Sequence, residues 1–500
     1  MELTEADALG TAEAVRAGRV SAVDVATAHL ERSARLGPVV GAFARLTPEL
    51  ALAQAAAIDE AVARGETSAP LLGVPCPIKD LNPVAGIGWE AGSAALRGTL
   101  ADIDDDIVDW LARSGTVMIG KTATPEFGLP CYTEPDGAPA ARTPWDLSRS
   151  AGGSSGGAAA AVATGLTPIA HASDGGGSIR IPASVCGLVG LKASRGRIGA
   201  GRLRTPGPGL GTDGVVSRTV ADSAVALDVL AGRGSGETYQ VPGPESTFLD
   251  AAGRAPGRLR IGVLTTPVIA EADVHPACLE AVRATAAALA GLGHDVGEAP
   301  VPFAVDRWQA FGALWAVGAA SIPLPEEAEA ILRPLTRWLR QQGRRTSGVA
   351  YSAAAGAVQR LTVDTALAWD AFDVILTPTL AQPPALVGEL RDDDDPAADF
   401  AAQTRFTPWT SVHNLTGRPA ISLPLHTAVI GGGTLPIGVM LSGRLGAEEM
   451  LLSLSAQLEA AVGWEHPFLV REPQGDGGRE RGQLSGSRRG ARLKDSSVPR

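Results

Sequence analysis

The sequence has few aromatic residues and no excess of positive charge. Only 4% of its 500 residues are Phe, Trp or Tyr, so much of the core must be built from Ala, Val, Leu and Ile. The net charge of −11 argues against nucleic acid as a partner, because binding it requires a basic face.

Cysteines and long apolar runs are also scarce. The four cysteines form no CxxC pair; they are Cys76, Cys131, Cys186 and Cys278. Wide spacing of this kind fits reduced thiols in a cytosolic protein better than disulfides or a zinc site. The acidic N-terminus lacks a signal-peptide pattern, and no apolar run reaches the roughly 18–20 residues of a membrane span. We therefore expect a cytoplasmic protein with no membrane partner, no metal and no other cofactor.

What is present is an alternation of strand and helix patterns, which predicts an α/β layered fold. The first part of the chain predicts helices in residues 5–64, one of them ending at Gly37-Pro38, a buried strand from Leu71 to Ile78, a helix from Asp104 to Ser114 and a strand from Thr116 to Gly120. The second part predicts a linker at 234–258, a strand from Leu259 to Leu264, a helix over about 277–292, mainly helices over 305–370, strands at 373–379, 420–425 and 435–441, and a closing helix from Ala447 to Ala461.

Two glycine-rich segments, 152–157 and 173–178, flank one helix-like run. Glycine costs backbone entropy, so a dense cluster inside a packable segment indicates that backbone N–H groups converge on a phosphate or an oxyanion. The phosphate interpretation lacks its motifs, since there is no GxxxxGK[ST] and the GxGxxG at Gly209 opens no helix pattern. The oxyanion interpretation is favoured because both segments carry serines.

A serine hydroxyl needs a base before it can act as a nucleophile near neutral pH. His171 lies in an apolar run, which favours an ordinary buried strand histidine. A GxSxG pattern surrounds Ser154, but no strand pattern leads into it, as a nucleophile elbow requires. A desolvated lysine is the other choice, since burial lowers its pKa. The apolar run before Lys79 would carry this side chain inside, although lysine at a strand end is more often exposed.

Several segments together resemble the amidase signature family. Residues 149–157 and 173–184 resemble its two serine motifs, and residues 73–80 resemble its catalytic-lysine segment. Further blocks at 120–128, 144–146, 414–420 and 435–438 follow in the family's order, so the resemblance extends over most of the chain. Residues 133–135 and 181–187 are most similar to bacterial amidases of the 6-aminohexanoate cyclic-dimer hydrolase group.

The resemblance implies one large α/β domain with a mixed central β-sheet covered by helices on both faces. The expected organisation is an amidase domain at 1–470, with N-terminal helices at 1–65, a catalytic core at 66–235, a variable helical pocket region at 300–400, and a disordered tail at 471–500.

The resemblance also implies an amidase that hydrolyses the C–N bond of a small carboxylic amide through an acyl-enzyme. The implied catalytic triad is Lys79, Ser154, which follows a cis peptide bond, and the nucleophile Ser178. The implied oxyanion hole is formed by backbone N–H groups of Gly175, Gly176, Gly177 and Ser178. Three further residues are expected either to position this site or to serve only as caps and ion pairs: Ser155, Asp174 and Arg180.

Some positions depart from the family pattern. Ala123 and Thr143 stand where many relatives carry Asn, so the hydrogen bonds of those amides must be absent or replaced. Ile181 stands where the amidase subunit of a tRNA-dependent amidotransferase usually has Gln, which disfavours that alternative. A non-catalytic binding protein on the same scaffold is the other alternative, against which the intact lysine and serines argue.

The sequence leaves the amide substrate and the oligomeric state open, a homodimer included. Cys131 and Trp315 are expected near the pocket. Few basic residues in the pocket loops would suit neutral amides, but four arginines complicate this interpretation: Arg333, Arg337, Arg340 and Arg344.

Overall fold

The computed structural model describes residues 3–205, 207–232, 236–464 and 466. Within these residues the strands are β1 (Phe43–Leu46), β2 (Ile78–Lys79), β3 (Gly120–Thr122), β4 (Ile169–Asp174), β5 (Val189–Lys192), β6 (Thr212–Ser217), β7 (Arg260–Val263), β8 (Asp295–Glu298), β9 (Val374–Pro378), β10 (Ala420–Ile430) and β11 (Gly433–Ser442).

The α-helices of the described residues are α1 (Ala8–Arg16), α2 (Ala22–Val40), α3 (Pro48–Ala63), α4 (Asp106–Arg113), α5 (Gly156–Ala163), α6 (Arg180–Cys186), α7 (Val220–Leu230), α8 (Phe248–Ala252), α9 (Pro276–Gly291), α10 (Gln309–Ala320), α11 (Pro334–Arg345), α12 (Gly348–Ala368), α13 (Pro396–Phe406), α14 (Thr410–Thr416) and α15 (Glu448–Val462). Short 3₁₀ helices lie at Ala94–Leu96, Glu126–Gly128, Val305–Trp308 and Glu326–Ile331. None of the helices in this part of the chain is long and apolar enough to cross a membrane.

Local signals in the sequence explain where many of these helices begin. The side chains of Asp7, Ser21 and Asp105 each accept a hydrogen bond from a backbone N–H in the first turn of α1, α2 and α4. Thr219 does the same for α7. Such caps satisfy N–H groups that have no partner within the helix, and each typically contributes about 1 kcal/mol.

The main sheet has eight strands in the order β4-β6-β5-β10-β11-β9-β7-β8. Neighbouring strands from β4 to β9 are antiparallel, whereas β9, β7 and β8 run parallel. The predicted mixed sheet in a single α/β domain is therefore confirmed.

Both faces of this sheet are covered by helices, as predicted. Along β11, Val439 and Leu441 join a core that contains residues of α7, α9 and α15. Met440, between them, packs on the opposite face with residues of α10, α12 and α14. The alternation follows from the two-residue period of a strand, and it places a hydrophobic core on each face of the sheet.

A second sheet holds β3 between β1 and β2, antiparallel to the first and parallel to the second. The predicted strand from Leu71 to Ile78 is wrong, since only Ile78–Lys79 forms a strand. Pro75 and Pro77 within that run have no N–H to donate to a neighbouring strand. The strand predicted at 116–120 lies instead at Gly120–Thr122.

Other predicted boundaries also need correction. The helix predicted to end at Gly37-Pro38 continues to Val40, with Pro38 inside it, and Gly41 ends it with a left-handed φ of 60°. Residues 5–64 are not entirely helical, because β1 lies between α2 and α3. The predicted linker at 234–258 contains α8, whose Phe248 is buried. The predicted disordered tail, 471–500, lies outside the described residues.

Candidate active site

Lys79 ends β2 in the interior of the protein, with no exposed surface. Its Nζ lies 2.8 Å from Ser154 Oγ and 2.8 Å from Ser155 Oγ. It also lies 3.1 Å from Ser173 Oγ. The side chain is thus a buried amine surrounded by hydroxyl groups, and not an exposed lysine at a strand end.

Burial lowers the pKa of Lys79 to about 7, although the Asp213 and Asp174 carboxylates act in the opposite direction and raise it. The physical cause is that an ammonium ion loses its hydration in the protein interior. A substantial fraction of Lys79 is therefore neutral near pH 7, and a neutral amine has a lone pair that can accept a proton from a hydroxyl group.

The Ser154 loop is placed by close contacts between backbones. The Gly153–Ser154 peptide bond is cis, as the family resemblance implied. A Cβ at Gly153 would lie 2.8 Å from Tyr132 N, and one at Gly157 would lie 2.4 Å from Ala123 N. Glycine is required at both positions because no side chain fits there, which explains part of the first glycine cluster.

The two departures from the family pattern are accommodated away from the serine hydroxyls. Ala123 N donates to Ala42 O at 2.9 Å. Thr143 Oγ1 donates to Val185 O at 2.9 Å. Thr143 thus forms its own hydrogen bond to the last turn of α6, at a position where many family members carry Asn.

The second glycine cluster connects β4 to α6 and is held by Asp174. The Asp174 carboxylate accepts hydrogen bonds from Gly177 N at 2.8 Å and from Ile179 N at 3.1 Å. It also pairs with Arg180, and both side chains are fully buried. Burial alone would raise the pKa of Asp174, but the Arg180 guanidinium and the Asn414 amide hold it well below its usual value. Asp174 is therefore an anion, stabilised by the buried Arg180 and by several N–H donors.

The backbone N–H groups of this loop differ in whether they already have a hydrogen-bond acceptor. Gly177 N–H is already bonded to Asp174. Among the described residues, the N–H groups of Gly175, Gly176 and Ser178 have no acceptor. Ser155 N donates to Ser178 O at 3.3 Å, which joins the two glycine-rich loops directly. The loop can thus offer free donors to an oxygen atom of a bound molecule.

A cavity that is partly open to solvent lies beside Ser178. Its walls come from the loop after the Glu126–Gly128 helix, the second glycine cluster and α6, the segment after β7, the 3₁₀ helix Val305–Trp308 with α10, and α13 to α14. They comprise Leu129, Pro130, Cys131, Gly176, Ser178, Ile181, Ile269, Trp308, Phe311, Trp315, Phe400, Gln403, Thr404, Thr407 and Ser411. Cys131 and Trp315 line it, as expected, and burial raises the pKa of the Cys131 thiol.

The four arginines that complicated the sequence interpretation do not line this cavity. Arg333 pairs with Asp136 and Asp393. Arg340 and Arg344 both pair with Glu329, and Arg337 donates to Ala330 O. No group of three or more His, Cys, Asp or Glu in the described part of the chain could hold a metal ion.

Sequence reasoning missed three contacts at this site. Ser173 begins the second glycine-rich segment, and its hydroxyl also contacts Lys79. His171 is a buried strand histidine in β4, as the sequence favours, but the sequence did not show that its Nδ1 accepts a hydrogen bond from Lys79 N at 3.2 Å. Asn414 binds the Asp174 carboxylate at 2.8 Å from a position 240 residues away. The alternation of β4, which puts residues 171 and 173 on one face, was an available signal for the first two.

Comparison with known proteins agrees with the geometry. The family model described as Amidase matches residues 24–452. The 6-aminohexanoate-cyclic-dimer hydrolase of Paenarthrobacter ureafaciens is 34% identical over 493 residues, which cover 94% of this chain and 96% of that protein.

Solved structures show the same likeness. A structure of 6-aminohexanoate cyclic dimer hydrolase complexed with substrate matches with a TM-score of 0.85 at 33% identity, covering 95% of this chain and 99% of that one. A bacterial aryl acylamidase belonging to the amidase signature family matches with a TM-score of 0.81 at 25% identity, covering 92% and 96%. The chain therefore belongs to the amidase signature family, and it is a hydrolase that acts on carbon–nitrogen bonds.

Proposed function

We propose that this hydrolase cleaves the C–N bond of a small carboxylic amide through an acyl-enzyme on Ser178, with Ser154 as proton relay and Lys79 as base. The observation that carries the proposal is the 2.8 Å distance from the buried Lys79 Nζ to Ser154 Oγ, next to a cavity that contains Ser178. His171 does not fill this role, because both of its ring nitrogens are used, by Lys79 N and by Asp213.

In the first half of the reaction, neutral Lys79 accepts the proton of Ser154 while Ser154 accepts the proton of Ser178. Ser178 Oγ then attacks the amide carbonyl carbon, and negative charge develops on the carbonyl oxygen. The free N–H groups of Gly175, Gly176 and Ser178 are the donors that would hold this oxyanion. Losing one such donor typically costs about 3 kcal/mol of transition-state stabilisation.

Collapse of the tetrahedral intermediate requires a proton on the leaving nitrogen, because an amine anion is a very poor leaving group. Ser154 delivers that proton and is reprotonated by Lys79. Water then attacks the acyl-enzyme by the same relay, which releases the carboxylic acid and restores Ser178. General acid–base steps of this kind contribute about 10²–10⁴-fold in rate.

In this scheme the remaining predicted site residues hold the lysine and the loop backbone in place. Ser155 Oγ donates to Ser173 O at 3.2 Å and contacts Lys79, so it fixes the amine between the two loops. Asp174 and Arg180 hold the backbone of the second glycine cluster, and Gly177 contributes by giving its N–H to Asp174. Of the side chains of Ser155, Asp174 and Arg180, only that of Ser155 touches a group that exchanges protons, Lys79 Nζ, and none is proposed to contact the substrate.

A fluorophosphonate probe, which reacts with activated serine hydroxyls, tests the assignment of the nucleophile. We expect one label, mapped to Ser178 by peptide mass spectrometry, and parallel loss of ammonia release from a panel of small amides. Ser178→Ala should abolish both while leaving the circular dichroism spectrum unchanged. The exposed Ser321 gives a matched control, since Ser321→Ala should label and turn over normally. Labelling at another serine, or an active Ser178→Ala enzyme, would contradict the assignment of Ser178 as the nucleophile.

A further inference from the structure

We propose that the cavity beside Ser178 selects uncharged amides that carry a flat aromatic ring. The inference rests on the proposed function, and it concerns the part of the substrate that does not react. Its basis is a wall of stacked aromatic rings that packs on the second glycine cluster.

The rings come from the 3₁₀ helix Val305–Trp308, from α10, which follows it directly, and from α13. Trp308, Phe311 and Trp315 follow the i, i+3, i+7 spacing, which places them in one row along a helix. Trp308 and Phe311 have ring centroids 5.1 Å apart, and Phe311 and Trp315 have centroids 5.3 Å apart, both with interplanar angles of 19°. Phe400 adds a fourth ring, 6.2 Å from Trp308.

This concentration of rings is notable in a chain with only 4% aromatic residues. All four rings line the cavity, and only Phe311 is buried, so the others keep accessible surface there. Trp308 is fixed by a hydrogen bond from its Nε1 to Ser411 Oγ at 2.8 Å. Aromatic rings pair best with other rings in offset stacked or edge-to-face arrangements, and a fixed ring loses little entropy on binding.

The aromatic wall reaches the reacting centre. A Cβ at Gly175 would lie 3.1 Å from the Trp315 ring, and one at Gly176 would lie 3.4 Å from the Phe311 ring. These two glycines carry free N–H groups proposed to bind the oxyanion. A ring attached close to the scissile carbonyl would therefore stack on this wall while its carbonyl oxygen faces Gly176.

Away from the free N–H groups of the second glycine cluster, the cavity offers no partner to a charged group. No charged side chain lines it within the described residues. The Gln403 amide is already used, since its oxygen accepts from Cys131 N at 2.8 Å and its nitrogen donates to Asp399 at 2.5 Å. Thr407 donates to the backbone at Gln403 O. A charge placed here would lose its hydration without gaining a partner, which is strongly unfavourable.

Three primary amides of similar size separate shape from charge: phenylacetamide, cyclohexylacetamide and 4-carboxyphenylacetamide. Ammonia release from each gives kcat/KM for the wild-type enzyme, so the result does not depend on the folding of a variant. We expect phenylacetamide to exceed cyclohexylacetamide about two- to tenfold, the range of aromatic pair energies. It should exceed the carboxylated amide by more than about 100-fold, because that amide buries an unpaired charge. Equal values for the ring pair, or efficient cleavage of the carboxylated amide, would overturn the inference.

A substitution in the aromatic wall tests whether these rings cause the selectivity. Trp315→Leu should bring the phenyl-to-cyclohexyl ratio close to one, whereas Trp110→Leu, in α4 on a different core, should leave the ratio unchanged. An unchanged ratio in folded Trp315→Leu would also overturn the inference. Fluorophosphonate labelling of Ser178 and turnover of propionamide report on the proposed function separately: if both hold and the ranking fails, only the substrate inference is wrong.

Discussion

His171 links the central sheet to the backbone of Lys79. Its Nδ1 accepts a hydrogen bond from Lys79 N at 3.2 Å, and its Nε2 lies 3.1 Å from Asp213 Oδ1. Since Nδ1 is the acceptor, Nε2 carries the proton that is donated to Asp213. The backbone of the buried lysine is thus held through His171 and Asp213, and Asp213 in turn pairs with Arg204.

The first prediction concerns the pH dependence of activity. The pKa of Lys79 is lowered to about 7 by burial, and only the neutral amine can accept a proton. We expect kcat/KM to rise with pH through a midpoint near that value, with a slope of about one in the logarithmic plot below it. Rates between pH 5 and 9 with an amide that does not itself titrate measure this. A midpoint near 10 would mean that the amine is hydrated, and a flat profile would mean that it is not the base.

The second prediction concerns Asp213→Asn. The Asp213 carboxylate raises the pKa of Lys79, so removing its charge should let that pKa fall. The midpoint of the kcat/KM profile should therefore move to lower pH, and the enzyme should keep more of its activity in mild acid. The exposed Asp394 supplies the control, because Asp394→Asn should leave the midpoint where it is. A midpoint that stays in place in Asp213→Asn, or moves upward, would show that this carboxylate does not act on the lysine.

The contacts around these residues show how far the sequence could predict the site. The sequence alone was sufficient to identify the glycine-rich loops as part of the site, because a dense cluster of glycines indicates that backbones approach closely there. The family resemblance then indicated which loops come together, and Lys79 does lie between both of them. Asn414 could not be assigned in this way, because its contact with Asp174 joins segments 240 residues apart.

Two other differences have local physical causes. The apolar run that ends at Ile78 has the hydrophobicity pattern of a buried strand. Hydrophobicity alone does not show that Pro75 and Pro77 have no N–H to donate to a neighbouring strand. The i, i+3, i+7 spacing of Trp308, Phe311 and Trp315 is typical of residues that share one face of a helix. Whether that face meets another helix or a cavity depends on tertiary packing, which periodicity does not encode.

The third prediction concerns stability. Asp174→Asn keeps the shape of the side chain but leaves the fully buried Arg180 without its counter-charge. Breaking a buried pair on one side typically costs about 3–5 kcal/mol in the free energy of unfolding. Urea unfolding followed by fluorescence should show a loss in that range. Glu13→Gln breaks the exposed pair with Arg19 and should change the midpoint little, since exposed pairs are screened by water. Equal midpoints for the two variants would contradict the prediction.

The last prediction uses Gly128 to test how Ser154 is positioned. Gly128 has a left-handed φ of 68°, and a Cβ there would lie 2.6 Å from Leu81 Cδ1 and 3.2 Å from Ser154 Oγ. Gly128→Ala should therefore displace the proposed relay hydroxyl. Misplacement of a reacting group by about 1 Å costs on the order of 10²-fold. A contact at 3.2 Å requires a smaller movement, so we expect kcat to fall measurably but by less than that factor.

Gly65 provides the matched control for backbone strain. Its φ of 81° is also left-handed, but a Cβ there would meet nothing within 4 Å. Both alanine variants should lose about 1–2 kcal/mol in the free energy of unfolding, because an L-residue is unfavourable in this region. Only Gly128→Ala should also lose activity under conditions where both proteins are folded. If the two variants retained the same kcat, the position of the Ser154 hydroxyl would not limit the reaction, and Ser154 would be unsuited to the role of relay.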